Sequence, residues 1–357
     1  MSAHLAGLGW VTPLGTGLDE VWARLDAGET AEVKTVVNPE TGRAHLYAPV
    51  PMKLVEALGR NPRLRRSSAI SYFAVAAGLA ALVDAGVTMT PELAARTAVV
   101  FAISNGGVIY TRKFYEQLVK QGANAASPAL FPETVYNAPA SHLAALLGID
   151  GASYTLVGDA SVGLAALKFA EQLLDTSDLA QVVVVGSEEI DWVVCAAYRD
   201  WRLARSTPEG RGALLAEGAA AVVLARAGRV KVVAQHDGVS VFRRAEAAGA
   251  VNRVFADLVR AGAVDVVVGS ANGTYVDRAE HTAIARHCPA AALYFPKSAL
   301  GEALGASSLM QVITAALALE KGGLPGQRSA AWKSALVSVL GFNQQTGGLV
   351  LGSGLRD

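Results

Sequence analysis

The sequence has little cysteine and no excess of charge of either sign. Its 357 residues include only two cysteines, Cys195 and Cys288. A chain long enough to bury a sizeable core needs no disulfide, so we expect both cysteines to be reduced and the protein to be intracellular. Lysine plus arginine and aspartate plus glutamate each total 31. This balance provides no electrostatic field to hold a polyanion, so nucleic acid is not an expected partner.

Long hydrophobic runs and cofactor motifs are also missing. No apolar stretch reaches the roughly 18 residues that a membrane-spanning helix needs, and the N-terminus lacks the basic region of a signal peptide. We therefore expect a cytoplasmic protein that has no membrane partner. The sequence contains no cluster of metal ligands, and Gly7-Leu8-Gly9 is too short a signal for a nucleotide site. The expectation is that the protein uses neither a metal nor another cofactor.

The residues that are present alternate between short β-branched runs and longer segments rich in alanine and leucine. Hydrophobic residues make up 52% of the chain. Such alternation is typical of parallel strands joined by helices, so the predicted fold class is α/β. The predicted strands are Ala3–Leu8, Thr97–Ile103, Ser153–Val157, Gln181–Val185, Ala219–Ala225, Val230–Ala234, Val264–Val268, Ala292–Phe295, Ala335–Val339 and Gly348–Leu351. The predicted helices are Leu18–Asp26, Arg66–Asp84, Ala138–Leu147, Ser161–Leu174, Val251–Ala261, Ala279–His287 and Ser307–Lys321. The predicted surface loops are Lys34–Ala48, Thr111–Ser127 and Arg199–Gly212.

The two parts of the chain have similar patterns. Each part opens with a strand, and each has a turn of small residues before an apolar helix, at Gly158–Ser161 and at Gly301–Ala306. This pattern predicts an internal duplication with an N-terminal half at 1–228 and a C-terminal half at 229–357.

Blocks of residues in order along nearly the whole chain resemble the β-ketoacyl-acyl-carrier-protein synthase family, whose members elongate fatty acids and build polyketides. The blocks are GLGWVTPLG at 7–15, the segment from Ser127 to Gly148, Glu217-Gly218-Ala219, the segment from Phe295 to Ala306, and Gly341-Phe342. The resemblance implies a thiolase-like fold with two halves in α-β-α-β-α layers, normally dimeric, and an active site between the halves. It also implies that the ligands are thioesters of acyl carrier protein or coenzyme A.

The family's condensing enzymes use one cysteine and two histidines, and the resemblance places Asp159, Asn272 and Glu302 at these positions. An acyl-aspartate is an anhydride and is too reactive to hold a growing chain. Asparagine can donate a hydrogen bond to a thioester carbonyl but cannot shuttle protons near neutral pH. An ionised glutamate would oppose the enolate that the second histidine stabilises. Condensation by this chain is therefore not expected.

Asp159 and Glu302 also have other interpretations. Asp159 can cap the helix predicted to begin near Ala160, which contributes about 0.5–2 kcal/mol. A protonated Glu302 could still donate a hydrogen bond. Ser161 is the hydroxyl nearest to Asp159 and has no evident base.

The resemblance assigns supporting roles to four further residues. Glu280 and Lys297 match the glutamate and lysine that brace the family's site, and we expect them to form a buried pair. Gly341 and Phe342 match the loop whose backbone helps to form the oxyanion site. We expect these two residues, together with Ser161, to contact the substrate.

Three functions remain open at this level. The first is a catalytically degenerate synthase that acts as a chain-length-factor-like partner of an active ketosynthase in a fatty-acid, polyketide or aryl-polyene-type pathway. The second is an enzyme in which Asp159 and Glu302 face one another and catalyse hydrolysis, hydration or decarboxylation of an acyl thioester. The third is a homodimer that binds acyl thioesters without catalysis.

Overall fold

The computed structural model describes residues 3–149, 151–328, 332–342 and 345–354. The strands in this part of the chain are β1 (His4–Val11), β2 (Lys34–Val37), β3 (Ala44–Tyr47), β4 (Thr97–Ile103), β5 (Ser153–Val157), β6 (Gln181–Glu188), β7 (Gly218–Ala225), β8 (Val230–Ser240), β9 (Val266–Val268), β10 (Ala292–Tyr294), β11 (Gly323–Leu324), β12 (Gln327–Arg328), β13 (Ser334–Leu340) and β14 (Gln345–Ser353). The α-helices are α1 (Leu18–Asp26), α2 (Ala69–Asp84), α3 (Pro91–Ala94), α4 (Val108–Gln121), α5 (Ala138–Leu146), α6 (Val162–Thr176), α7 (Trp192–Asp200), α8 (Ala247–Leu258), α9 (Val276–His287), α10 (Lys297–Leu300) and α11 (Ser307–Lys321).

The large mixed sheet consists of two sets of five strands with the same topology. Its order is β10-β9-β13-β14-β8-β1-β7-β6-β4-β5. If the five strands of each set are numbered by their order in the chain, they follow one another from the β1–β8 contact outward as first, fifth, fourth, second and third. In both sets the fourth, second and third strands are parallel, and the fifth runs antiparallel to its two neighbours. The sets join between Ala225 and Val230, next to the predicted boundary at Gly228. That each half is a domain of its own stays a prediction.

Helices lie on both faces of each set of strands. Helices α6 and α11 pack between the sets, α2 and α5 cover the outer face of the first set, and α8 and α9 cover that of the second. The position of β4 between two cores explains why nearly all of its residues are apolar. Its alternate residues Ala98, Val100 and Ala102 belong to the central core, whereas Val99, Phe101 and Ile103 belong to the outer core under α2. The predicted α/β class and the α-β-α-β-α layering are confirmed.

The predicted strands and helices are all present, mostly with small shifts in their ends, although β8 continues six residues beyond its predicted end at Ala234; the predicted loops are partly wrong. Thr111–Ser127 contains most of α4, in which Tyr115, Leu118 and Val119 have the apolar spacing of a helix that the prediction overlooked. Lys34–Ala48 contains the hairpin of β2 and β3. Arg199–Gly212 begins with the last turn of α7. No helix in the described ranges is long and apolar enough to cross a membrane.

Candidate functional site

Asp159 lies in the turn that links β5 to α6. Its side chain is buried, and its Oδ1 accepts hydrogen bonds from the Ser161 backbone N–H at 3.1 Å and from the Ser161 hydroxyl at 3.0 Å. The hydroxyl also lies 2.9 Å from Oε1 of Gln345. Helix α6 begins only at Val162, so Asp159 closes the turn before the helix rather than binding the helix's own first amides.

Gly341 lies directly against the Asp159 carboxylate. A Cβ atom at position 341 would be 1.7 Å from Asp159 Oδ2, so only glycine fits beside this carboxylate. The following residue, Phe342, is buried and packs edge-on against Tyr198 with ring centroids 5.6 Å apart. The Phe342 carbonyl accepts a hydrogen bond from the Tyr275 hydroxyl at 3.1 Å. The loop and the turn singled out from the sequence are therefore in contact.

A second buried cluster joins the other two positions of the motif. The Lys297 ammonium lies 2.8 Å from Oε2 of Glu302, and the two side chains are 3% and 0% exposed. The same oxygen accepts a hydrogen bond from Asn272 Nδ2 at 2.9 Å, while Oε1 accepts one from the Leu304 N–H at 3.1 Å. Each of these contacts comes from a donor, which matches a carboxylate acting purely as an acceptor. Leu304 has a φ of 40°, an unusual conformation for a residue other than glycine.

The expected direct pairing of Glu280 with Lys297 is replaced by a different arrangement. Glu280 accepts two hydrogen bonds from the Ser270 N–H, at 2.8 and 2.9 Å, and Lys297 donates to the Ser270 hydroxyl at 2.7 Å. Lys297 takes Glu302 as its ion-pair partner, at the position that the resemblance assigns to a histidine. Burial raises the pKa of Glu280 to about 7, although hydrogen bonds from Ser338 and Ser270 and the charge of Lys297 oppose the shift. Ser270 therefore connects the two members of the expected pair.

Helix α9 holds the loop that carries Asn272. Asp277, in the first turn of the helix, accepts hydrogen bonds from the Asn272 N–H at 3.0 Å and from the Gly273 N–H at 2.9 Å. The Asn272 Oδ1 accepts one from the Thr274 hydroxyl at 2.7 Å. These contacts fix the side chain of Asn272 with its amide group toward Glu302.

A cavity of about 510 Å³ lies beside the Asp159 turn. Asp159, Tyr198, Trp201, Asn105 and Gln345 are among the residues that line it, whereas Glu302 does not. The Glu302 carboxylate accepts hydrogen bonds from Asn272 and Leu304. The second hypothesis, in which Asp159 and Glu302 face one another, stays a prediction.

The sequence analysis missed Glu188, a buried carboxylic acid behind this cavity. It accepts hydrogen bonds from the backbone N–H groups of Ser104 and Asn105. Burial raises the pKa of Glu188 to about 8. A signal was available, because Glu188 ends the apolar strand β6, and residues at the carboxyl ends of parallel strands commonly form sites.

Tyr198 was also missed, and no sequence signal identifies it. It is buried, and the pKa of its hydroxyl is raised first by burial and then by the charges of Glu188, Glu302 and Asp159. Tyr198 lines the cavity and packs against Phe342.

Neither cysteine offers an alternative nucleophile. Both are unbridged and buried. Burial raises the pKa of Cys195 to about 12, with help from the charges of Asp191 and Glu217, and that of Cys288 to about 11. A thiol with such a pKa is almost entirely protonated near neutral pH. In the described ranges, no group of three or more histidine, cysteine, aspartate or glutamate side chains could hold a metal ion.

Comparisons with known proteins give a consistent result. The family model "Beta-ketoacyl synthase, N-terminal domain" matches residues 4–229, and "Beta-ketoacyl synthase, C-terminal domain" matches residues 220–330. A 3-oxoacyl-[acyl-carrier-protein] synthase 2 of Vibrio harveyi is 25% identical over 52% of this chain, and the match spans 45% of that relative. A putative polyketide beta-ketoacyl synthase 2 of Streptomyces cyaneus is 27% identical over 90% of this chain and 85% of its own length. The solved structure described as the ishigamide ketosynthase/chain length factor has a TM-score of 0.81, with 21% identity and 99% of both chains covered.

Proposed function

The chain belongs to the β-ketoacyl synthase family, and from this premise we propose that it is a member that does not itself condense. It pairs with an active ketosynthase and shapes the acyl cavity of the pair, as a chain-length factor does. The setting is fatty-acid or polyketide assembly in the cytoplasm, with acyl carrier protein delivering the thioesters. The name of the Vibrio harveyi relative and the fold of the ketosynthase/chain length factor support this setting.

One observation carries the proposal: the buried cluster in which Lys297 and Asn272 bind Glu302. Where a condensing enzyme needs an imidazole to stabilise an enolate, this cluster holds a carboxylate that is already neutralised by a lysine. The cavity nearby presents the carboxylate of Asp159 where a thiolate is needed. Binding of an acyl chain is compatible with this arrangement, but condensation is not.

An exposed basic surface supports the assignment of a carrier protein as partner. The exposed cations Lys53, Arg60, Arg63, Arg65 and Arg66 lie in the segment before α2. Between residues 53 and 66 the only acidic residue is Glu56. A surface of this kind attracts an acidic protein and speeds its association, and the effect weakens with added salt.

The edge of the large sheet supports dimerisation. β5 is the last strand of the sheet, and its residues Tyr154 and Val157 are 42% and 56% exposed. An exposed apolar edge strand readily pairs with a strand of a second chain. We propose that β5 forms the contact with the ketosynthase subunit.

The test is co-expression with a ketosynthase from the same organism that has an intact cysteine and two histidines. We expect a one-to-one heterodimer by size-exclusion chromatography and mass spectrometry, and a change in product length when this chain is omitted. Val157→Lys should abolish the heterodimer. The matched control is Val83→Lys on α2, at a valine that is 78% exposed, and it should leave the heterodimer intact.

Two results would overturn the proposal. One is the recovery of homodimers alone, with identical products whether or not this chain is present. The other is condensation by the heterodimer after the ketosynthase cysteine has been replaced by alanine, because the remaining activity would then belong to this chain.

A further inference from the structure

Gln345 divides two cavities. Among the described residues it is the only one that lines both the cavity of about 510 Å³ beside Asp159 and a second cavity of about 140 Å³. Asp159 lines the first cavity, and Ser161, two residues further along the same turn, lines the second. The two cavities therefore meet at Gln345, next to the turn between β5 and α6.

Both the backbone and the side chain of Gln345 are anchored. Its carbonyl accepts a hydrogen bond from the Gly341 N–H at 2.8 Å, and its backbone pairs with Ser240 of β8. Its amide Oε1 lies 2.9 Å from the Ser161 hydroxyl, which lies 3.0 Å from Asp159 Oδ1. These contacts hold the side chain as a fixed wall between the cavities.

The second cavity has an apolar part that suits a small alkyl group. The apolar side chains in its lining are Leu164, Ala165 and Val239. The charged groups of this lining already have partners. Lys168 lies 3.4 Å from Glu171 and 4.0 Å from Asp237, and the His236 ring lies 3.2 Å from Asp257. The three apolar side chains are therefore the part of the lining that an alkyl group would contact.

We propose that Gln345 is a specificity-determining residue that excludes acyl chains branched at the carbon next to the thioester carbonyl. This inference rests on the proposed function, because it takes the acyl thioester to lie in the larger cavity with its carbonyl at the Asp159 turn. Ser161 joins Gln345 to that turn, so a branch on the adjacent carbon meets the Gln345 amide. The branch would separate the amide from the Ser161 hydroxyl without offering a hydrogen bond in return, which is unfavourable.

Removing the Gln345 side chain joins the two cavities. An alkyl branch can then enter the second cavity, where it contacts apolar side chains instead of an amide. The ligand class of the unaltered chain is therefore the straight-chain acyl thioester, and the class accepted by Gln345→Ala also includes branched ones.

The test compares two thioesters of N-acetylcysteamine, octanoyl and 2-ethyloctanoyl, by calorimetry on the purified chain. One methylene that does not fit a pocket changes discrimination by about 10–200-fold. We therefore expect the unaltered chain to bind octanoyl at least about tenfold more tightly than 2-ethyloctanoyl. Gln345→Ala should make the two dissociation constants nearly equal. Gln345 is exposed, so this variant should remain folded.

A second variant shows where the branch lies. Ala165 is exposed and lines the second cavity but not the one beside Asp159. Adding Ala165→Phe to Gln345→Ala should fill the second cavity and restore the preference for octanoyl. The matched control is Gln172→Ala, at an exposed glutamine on α6 that lines neither cavity, and it should keep the preference of the unaltered chain.

Three results would overturn the inference. One is equal binding of the two thioesters by the unaltered chain. Another is a preference for octanoyl that persists undiminished in Gln345→Ala. The third is equal binding in the double variant with Ala165→Phe, because the branch would then not lie in the second cavity.

The two proposals fail in different ways. A chain that discriminates against 2-ethyloctanoyl through Gln345 but forms no heterodimer refutes the partnership and keeps the role of Gln345. A chain that forms the heterodimer but binds the two thioesters equally well refutes the role of Gln345 alone.

Discussion

Replacing Lys297 by methionine tests the cluster on which the proposed function depends. The change removes the ammonium 2.8 Å from Glu302 and leaves a carboxylate whose side chain is 0% exposed with only the Asn272 and Leu304 donors. Removing one partner of a buried ion pair costs about 3–5 kcal/mol, because the remaining charge has lost its compensation. This is a large part of the roughly 5–15 kcal/mol that stabilises a typical domain.

The reverse change, Glu302→Gln, should cost less. Lys297 then remains charged, but Glu280 interacts with it electrostatically and has its pKa raised to about 7. Glu280 can therefore ionise and replace the lost counter-charge. Combining Lys297→Met with Glu302→Leu removes both charges, so the double variant should be more stable than Lys297→Met alone.

The assay is urea unfolding followed by circular dichroism, with Lys120→Met as the matched control. Lys120 is 2.6 Å from Glu116, closer than the buried pair, but these side chains are 58% and 39% exposed. Exposed pairs contribute little, so we expect no measurable change in the control. If Lys297→Met and Lys120→Met unfold at the same urea concentration as the unaltered chain, the buried cluster does not exist in solution.

Two further predictions concern Gly341 and Glu188. Gly341→Ala should lower the melting temperature sharply because its Cβ would lie 1.7 Å from Asp159 Oδ2. Adding Asp159→Ala should restore much of the lost stability. An unchanged melting temperature for Gly341→Ala would show that the two residues are not in contact. Burial raises the pKa of Glu188 from 4.5 to about 8, so the folded state keeps a proton that the unfolded state releases, and stability should fall as pH rises across that window. Glu188→Gln should flatten this slope and Glu116→Gln should not; equal slopes for Glu188→Gln and the unaltered chain would contradict the burial of a protonated acid.

Much of the fold could be predicted from the sequence because strand and helix periods are local signals. β4 is predicted with its observed ends, since the unbroken apolar run from Ala98 to Ile103 is typical of a strand covered on both faces. α4 was missed although its apolar residues have helical spacing, because charged residues such as Arg112, Glu116 and Lys120 are interleaved with them. Local patterns are easiest to recognise where nearly every residue of an element is apolar.

The candidate site was likewise predicted only in part from the sequence. Family membership is confirmed, whereas the assignment of Asp159, Asn272 and Glu302 to the positions of the family's cysteine and histidines stays a prediction. Alignment of the motif blocks did not predict that Lys297 would bind Glu302 instead of Glu280, because the motif describes partners of a histidine. A substituted residue redistributes hydrogen bonds among its neighbours, and this depends on distances that a motif does not contain.

The sequence by itself determined the α/β class, the order of the predicted strands and helices, and the family, since these follow from local hydrophobic periods and from collinear motifs. Only the tertiary structure decided which of these residues act together. Asp159 and Gly341 are 182 positions apart in the chain, yet the carboxylate of one excludes a side chain at the other. The cavity beside Asp159 likewise combines turns and helices from distant parts of the chain. Charge pairing, burial and the pKa of a buried acid depend on what lies within a few ångströms, and the folding of the chain brings those groups together.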